Sequence, residues 1–201
     1  MKECCAIQTE VSQAQRRVLR VVFWINAVMF GAELVAGIIA RSTALVADSV
    51  DMLGDALVYG FSLYVVGRGP LWERRAALLK GGIMATFGGA VLVEVVTKLI
   101  DGGLPVASLM GSVGLVALVA NLAVLVLLWQ RRGDDLNMRS VWLCSRNDVI
   151  ANAGVLVAAG AVAFTASAWP DIIVGGLIAA LFVTSAVGVI RDARALAPSL
   201  R

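Results

Sequence analysis

Apolar residues fall along this chain in runs too long for a soluble core element, at about 21–40, 43–67, 76–97, 105–129, 141–166 and 169–190, with short polar links between them. Each run has the roughly 20 residues that carry an α-helix through about 30 Å of hydrocarbon. The runs are continuous, not alternating in segments of about 10 residues, which disfavours an outer-membrane barrel. The pattern predicts an all-α membrane protein of six transmembrane helices. Residues 1–20 form an N-terminal segment, 21–191 the transmembrane domain and 192–201 a short tail.

The charges between the runs predict an orientation. Lys2, Arg16, Arg17 and Arg20 precede the first run, and Arg68, Arg74, Arg75 and Lys80 surround the link between the second and third. Arg131, Arg132, Arg139 and Arg146 surround the link between the fourth and fifth, and Arg191, Arg194 and Arg201 follow the sixth. Arg41 and Lys98 alone fall on the other side, so the positive-inside rule puts both termini in the cytoplasm. The first run is expected to be a retained helix, because Glu33 interrupts it and no small-x-small cleavage site follows. Paired glycines, Gly81–Gly82, Gly88–Gly89 and Gly175–Gly176, suit close helix packing.

Composition narrows the chemistry. The chain has 201 residues, 60% hydrophobic and 15% charged, against about 25% charged in ordinary soluble domains, and its mean hydropathy is +0.88. Six spans use nearly all of that length, which leaves no room for a separate catalytic or nucleic-acid-binding module. The lipid bilayer is an expected partner and nucleic acid is not. The chain has 0 histidines, so the commonest metal ligand and the usual near-neutral titrating group are missing. Carboxylates, thiols and amides must carry the chemistry.

Acids persist in membrane helices mainly where they face the bundle interior or a wet cavity. Here Glu33 lies in the first run, Asp48, Asp51 and Asp55 in the second, and Asp148 in the fifth. The second-run acids stand at i, i+3 and i+7, one helix face over two turns. In the fifth run Cys144, Asp148 and Asn152 stand at i, i+4 and i+8, again one face, with Arg146 and Asn147 off it. Asp51, Asp55, Cys144 and Asp148 together make a four-ligand set of the kind zinc accepts. Asp48 is either a ligand-supporting group or a helix N-terminal residue. A lone cysteine in an apolar helix also suits a small buried hydrophobe, so position 144 has two standing readings. The Asn152 amide fits a hydrogen bond to a neighbouring helix better than metal ligation.

"STALVADSVDMLGDAL" and "CSRNDVIANAGVLVA" together resemble the second- and fifth-helix patterns of the cation diffusion facilitator family of divalent-metal transporters. Asp51 and Asp55 stand in the family's (His/Asp)-x-x-x-Asp pair, Asp48 matches the upstream aspartate, and Asp148 matches the fifth-helix aspartate. Cys144 departs from the usual His or Asp. Asn26, Glu33 and Gly37 in "NAVMFGAELVAG" and Asn121 in the fourth run are looser matches, and "WPDIIVGGLIAAL" carries the usual Asp-Pro order reversed. With Asp48 and Asn152, the residues Glu33, Asn26 and Asn121 are candidates for supporting the site or carrying protons. Many family members carry a ferredoxin-like cytoplasmic domain; this chain stops at Arg201 without one, so a dimer is expected to be held by the helices.

The resemblance implies a homodimeric secondary transporter, not an enzyme, that exports a divalent cation in exchange for protons, with no catalytic residue and no permanently bound cofactor. The residues agree, since metal ligands must be deprotonated and protons therefore compete with metal for the same acids. A thiolate shifts preference from hard ions toward borderline and soft ones, which favours Zn²⁺ and Cd²⁺ over Mn²⁺ and admits Co²⁺ or Fe²⁺. Cys4 and Cys5 are candidates for capturing metal on the cytoplasmic side, although an adjacent pair lacks the spacing of a zinc motif. Three rivals predict different behaviour. A membrane phosphotransferase requires an Asp-Gly, a downstream Ala-Arg and a second Gly-x-x-x-Asp-x-x-x-Asp block, and "DSVDMLGDALVYGFSLY" has none of these in the right order; a non-transporting partner binds metal without moving it; a passive channel ignores a pH gradient.

Overall fold

The apolar runs form six α-helices in the computed structural model, which describes residues 13–65, 70–130 and 136–195. They are α1 (Gln13–Ala40), α2 (Thr43–Val65), α3 (Pro70–Asp101), α4 (Ala107–Trp129), α5 (Leu136–Thr165) and α6 (Trp169–Ala195). Five of them, all but α2, are long and apolar enough to cross a membrane. α2 equals α4 in length at 23 residues, about 35 Å of helix, and differs in carrying Asp48, Asp51 and Asp55. Large apolar side chains cover the outside, with Phe164 at 93% exposure and Val157 at 72%. In water such a surface would drive aggregation, whereas in hydrocarbon it is the solvated face. The protein is an integral, multi-pass membrane protein.

α1, α3, α5 and α6 overrun their apolar runs at one end or both, most at α1 and α3. Intrahelical hydrogen bonding continues past the last lipid-facing residue, so a helix need not stop where its apolar pattern does.

α1 packs along α2, α3 along α6 and α4 along α5, while α2 also touches α3, α5 and α6. The helix that carries three aspartates is thus enclosed by its neighbours. Each glycine pair divides its labour: a Cβ on Gly81 would lie 2.6 Å from Ile190 and one on Gly88 2.7 Å from Val183, both on α6, while Gly82 and Gly89 meet nothing within 4 Å. One member of each pair admits α6 and the other faces outward.

The turn between α1 and α2 is held by main-chain and side-chain bonds together. Ser42 N–H donates to Gly37 O (2.9 Å) and Arg41 N–H to Ile38 O (3.2 Å), the two bonds of a Schellman motif, with Arg41 in the left-handed position usually given to glycine (φ 53°). Ser42 Oγ accepts from Leu45 N–H (3.1 Å) as the N-cap of α2. Asp171 of α6 completes the cap, accepting from Thr43 N–H (2.9 Å), Ala44 N–H (3.1 Å) and Ser42 Oγ–H (2.6 Å). The Asp171 carboxylate therefore faces the positive end of the α2 dipole. Lys98 of α3 pairs with it at 2.5 Å and also donates to the Arg41 carbonyl. Asp171 is fully buried and Lys98 nearly so.

This lock depends on contact between α6 and α2. A Cβ on Gly175, one turn beyond Asp171, would lie 2.7 Å from the Thr43 carbonyl carbon and 2.8 Å from the Ala44 nitrogen. Gly175→Ala is expected to destabilise the protein by ~1–3 kcal/mol through overpacking. Gly176→Ala, with nothing within 4 Å of its Cβ, is expected to be neutral or slightly stabilising. Thermal unfolding of the two variants in detergent distinguishes them, and equal effects would contradict the close approach.

Candidate functional site

The three acids of α2 lie on one face but meet different surroundings along it. Asp48 is buried and accepts a hydrogen bond from Asn152 Nδ2 at 3.1 Å, and the same amide donates to the Asp148 carbonyl at 3.1 Å. Asn152 therefore ties α5 to α2, the helix-to-helix role its amide suits. Of the two readings of Asp48, the helix-start one is excluded: Ser42 and Asp171 fill that role.

Further along α2, Asp51 and Asp55 are partly exposed, as is Asp148 of α5, and all three line one cavity of about 130 Å³. Gly54 and Val58 of α2, Lys80 and Met84 of α3, Asn147 and Ala151 of α5, and Ile178, Leu181, Phe182 and Ser185 of α6 complete its wall. The Asp148 carboxyl faces Asp51 and Asp55 across this one small cavity. Bare carboxylates at that range repel each other unless a cation or a proton intervenes. Asp55 is also held by its own helix, accepting from Tyr59 Oη at 3.0 Å. Among the described residues, no three His, Cys, Asp or Glu side chains are already drawn into a metal-holding group. The arrangement is an acidic chamber with carboxylate oxygens supplied by two helices.

Glu33 of α1 is fully buried, with neither carboxyl oxygen hydrogen-bonded, and Asp48 Oδ2 and Asn152 Oδ1 are likewise unsatisfied. Asn26 spends its amide inside α1, donating to Val22 O at 2.9 Å. Asn121 is buried on α4 with its Nδ2 unsatisfied. Neither Asn26 nor Asn121 lines the cavity. Position 144 falls on α5 four residues before Asp148, and the Cys144 side chain lies outside the described residues, as do Cys4 and Cys5.

One wall residue departs from its sequence reading; Asn147, off the Cys144–Asp148 stripe, also borders the cavity. Lys80 reads as a flanking charge near the edge of an apolar run; it is instead fully buried and faces the aspartates. α3 starts at Pro70, which puts Lys80 ten residues, about 15 Å, inside the helix. Arg146 does stay exposed, its guanidinium 5.9 Å from the Trp142 ring centroid.

Residues 19–70 and 72–196 match the family described as the cation efflux transmembrane domain. Similar curated proteins include the metal cation efflux system protein CzcD of Cupriavidus metallidurans and the cation efflux system protein CzcD of Alcaligenes sp. Each is 26% identical over 174 residues, which cover 81% of this chain and 55% of the relative. The chain thus spans little more than half the length of the curated relatives it matches.

Proposed function

This chain belongs to the cation efflux family, and from that premise we propose that it carries a divalent transition-metal cation out of the cytoplasm across the plasma membrane, in exchange for protons. The observation that carries this reading is the convergence of Asp51 and Asp55 from α2 with Asp148 from α5 on one membrane-embedded cavity. A hard or borderline cation meets oxygen donors there, and Cys144 is proposed as the fourth ligand. The thiolate tilts the choice toward Zn²⁺ and Cd²⁺, with Co²⁺ or Fe²⁺ accepted and Mn²⁺ disfavoured.

Proton exchange follows from competition. Metal binds the deprotonated acids, so lowering pH weakens metal binding, and cation arrival displaces protons that the repelling carboxylates otherwise hold. Alternating access in a homodimer, with the termini in the cytoplasm, completes the proposal.

The test is a metal panel in proteoliposomes under an imposed pH gradient. Zn²⁺ and Cd²⁺ movement driven by the gradient supports antiport, movement indifferent to it indicates a channel, and binding without movement indicates a non-transporting partner. Cys144→Ser is expected to lower the Cd²⁺ to Mn²⁺ preference by about tenfold, equivalent to ~1.4 kcal/mol. An unchanged preference would remove Cys144 from the ligand set.

A further inference from the structure

The chamber contains one positive charge that the ligand reading does not use. Lys80 is fully buried and lines the cavity with all three aspartates. It comes from α3, a helix that supplies no candidate ligand. Met84, one turn on, shares the cavity wall, so this face of α3 points into the chamber for at least a turn. The neighbouring Gly81 packs against Ile190 of α6, fixing that turn against the cavity's fourth wall.

Burying an ammonium is costly unless opposite charges compensate it. Here the acidic chamber supplies opposite charge. Asp51, Asp55 and Asp148 contribute three negative charges when ionised, and the Cys144 thiolate of the proposed ligand set a fourth, so a divalent cation alone leaves two uncompensated. The Lys80 ammonium offsets one of them in a low-dielectric setting, where each charge interaction is much stronger than in water.

We propose that Lys80 is the built-in counter-charge of the transport site, offsetting part of its negative charge and holding affinity for a divalent cargo low enough for release. The inference rests on the reading that the three aspartates receive the metal. Lys80 does not ligate the cation; it repels it, and so acts on how tightly the aspartates hold it.

The experiment compares Lys80→Met, which keeps length and loses charge, with Lys80→Arg, which keeps charge, for Zn²⁺ and Cd²⁺ in purified protein and proteoliposomes. Lys80→Met is expected to bind at least about tenfold tighter and to turn over more slowly, so that KM and kcat fall together. Lys80→Arg is expected to return KM to near that of the unaltered chain. Unchanged or weaker binding by folded Lys80→Met would overturn the proposal, as would a folded Lys80→Arg whose KM stays as low as that of Lys80→Met. If Lys80→Met does not fold, the charge-balanced double variant Lys80→Met/Asp55→Asn decides: recovered folded protein supports the counter-charge, and continued misfolding assigns Lys80 to shape and overturns it. Asp148→Ala separates the two levels. If it binds metal like the unaltered chain, the site reading fails; if it loses binding while Lys80→Met leaves affinity unchanged, only the counter-charge fails.

Discussion

Asp148→Ala is expected to abolish metal movement while leaving the folded protein intact, and Asp55→Ala to do the same. Asp148 is the described acid that α5 brings to the cavity wall it shares with Asp51 and Asp55. Without it, α5 keeps only Cys144 of the proposed ligand set opposite the two aspartates of α2, and the site loses its one carboxylate on that side. The initial rate should fall by more than about a hundredfold, or ~2.7 kcal/mol. Folding should survive, because removing one of three mutually repelling carboxylates relieves repulsion at a partly solvated site. Asp55→Asn refines the test. It can still accept from Tyr59 Oη, now 3.0 Å from the native carboxylate, so loss of transport in that variant isolates the charge. Metal-sensitive dye flux in proteoliposomes, with size-exclusion profiles as the folding control, reads both results. Transport retained by either alanine variant would remove the proposed site.

The residues that were legible in the sequence are those whose signal is local. Six apolar runs of membrane-crossing length became six helices, and the i, i+3, i+7 spacing put Asp48, Asp51 and Asp55 on one face whatever the rest of the chain did. Asn152 was legible too, since a buried amide in a membrane helix needs a partner and found Asp48. Tertiary neighbours were not legible. Nothing local marks Met84, Ile178 or Phe182 as chamber walls instead of ordinary packing residues. Lys80 was misplaced because a lysine near the edge of an apolar run has the same local pattern whether it reaches out to the interface or turns inward. The packing of α3 against α6 and α2, which buries Lys80 at the cavity wall, decides between the two. Asp171 could not be recognised as a cap, because its partners lie on a helix more than a hundred residues earlier in the chain.

Asp171→Ala is the second large expected effect, and it acts on stability. The substitution removes the acceptor of two α2 amides and one hydroxyl and leaves the Lys98 ammonium buried without its carboxylate. Breaking a buried ion pair from one side costs about 3–5 kcal/mol, and the orphaned N-cap donors add to that. Asp171→Asn should fall between, keeping an acceptor oxygen but losing the charge that faces both Lys98 and the helix dipole. Thermal unfolding in detergent should rank the unaltered chain above Asp171→Asn and Asp171→Ala last. An Asp171→Ala variant as stable as the unaltered chain would show that the lock contributes little.

The lock also has a consequence for how the sequence can drift. Asp171 grips the amides of Thr43 and Ala44, not their side chains, so every residue but proline presents the same two donors at positions 43 and 44. The bonding information sits at Ser42, Lys98 and Asp171, while Gly175 constrains the space. A substitution at any of those four is felt at the start of the helix that bears the aspartates, and across positions 43 and 44 the lock reads only the backbone.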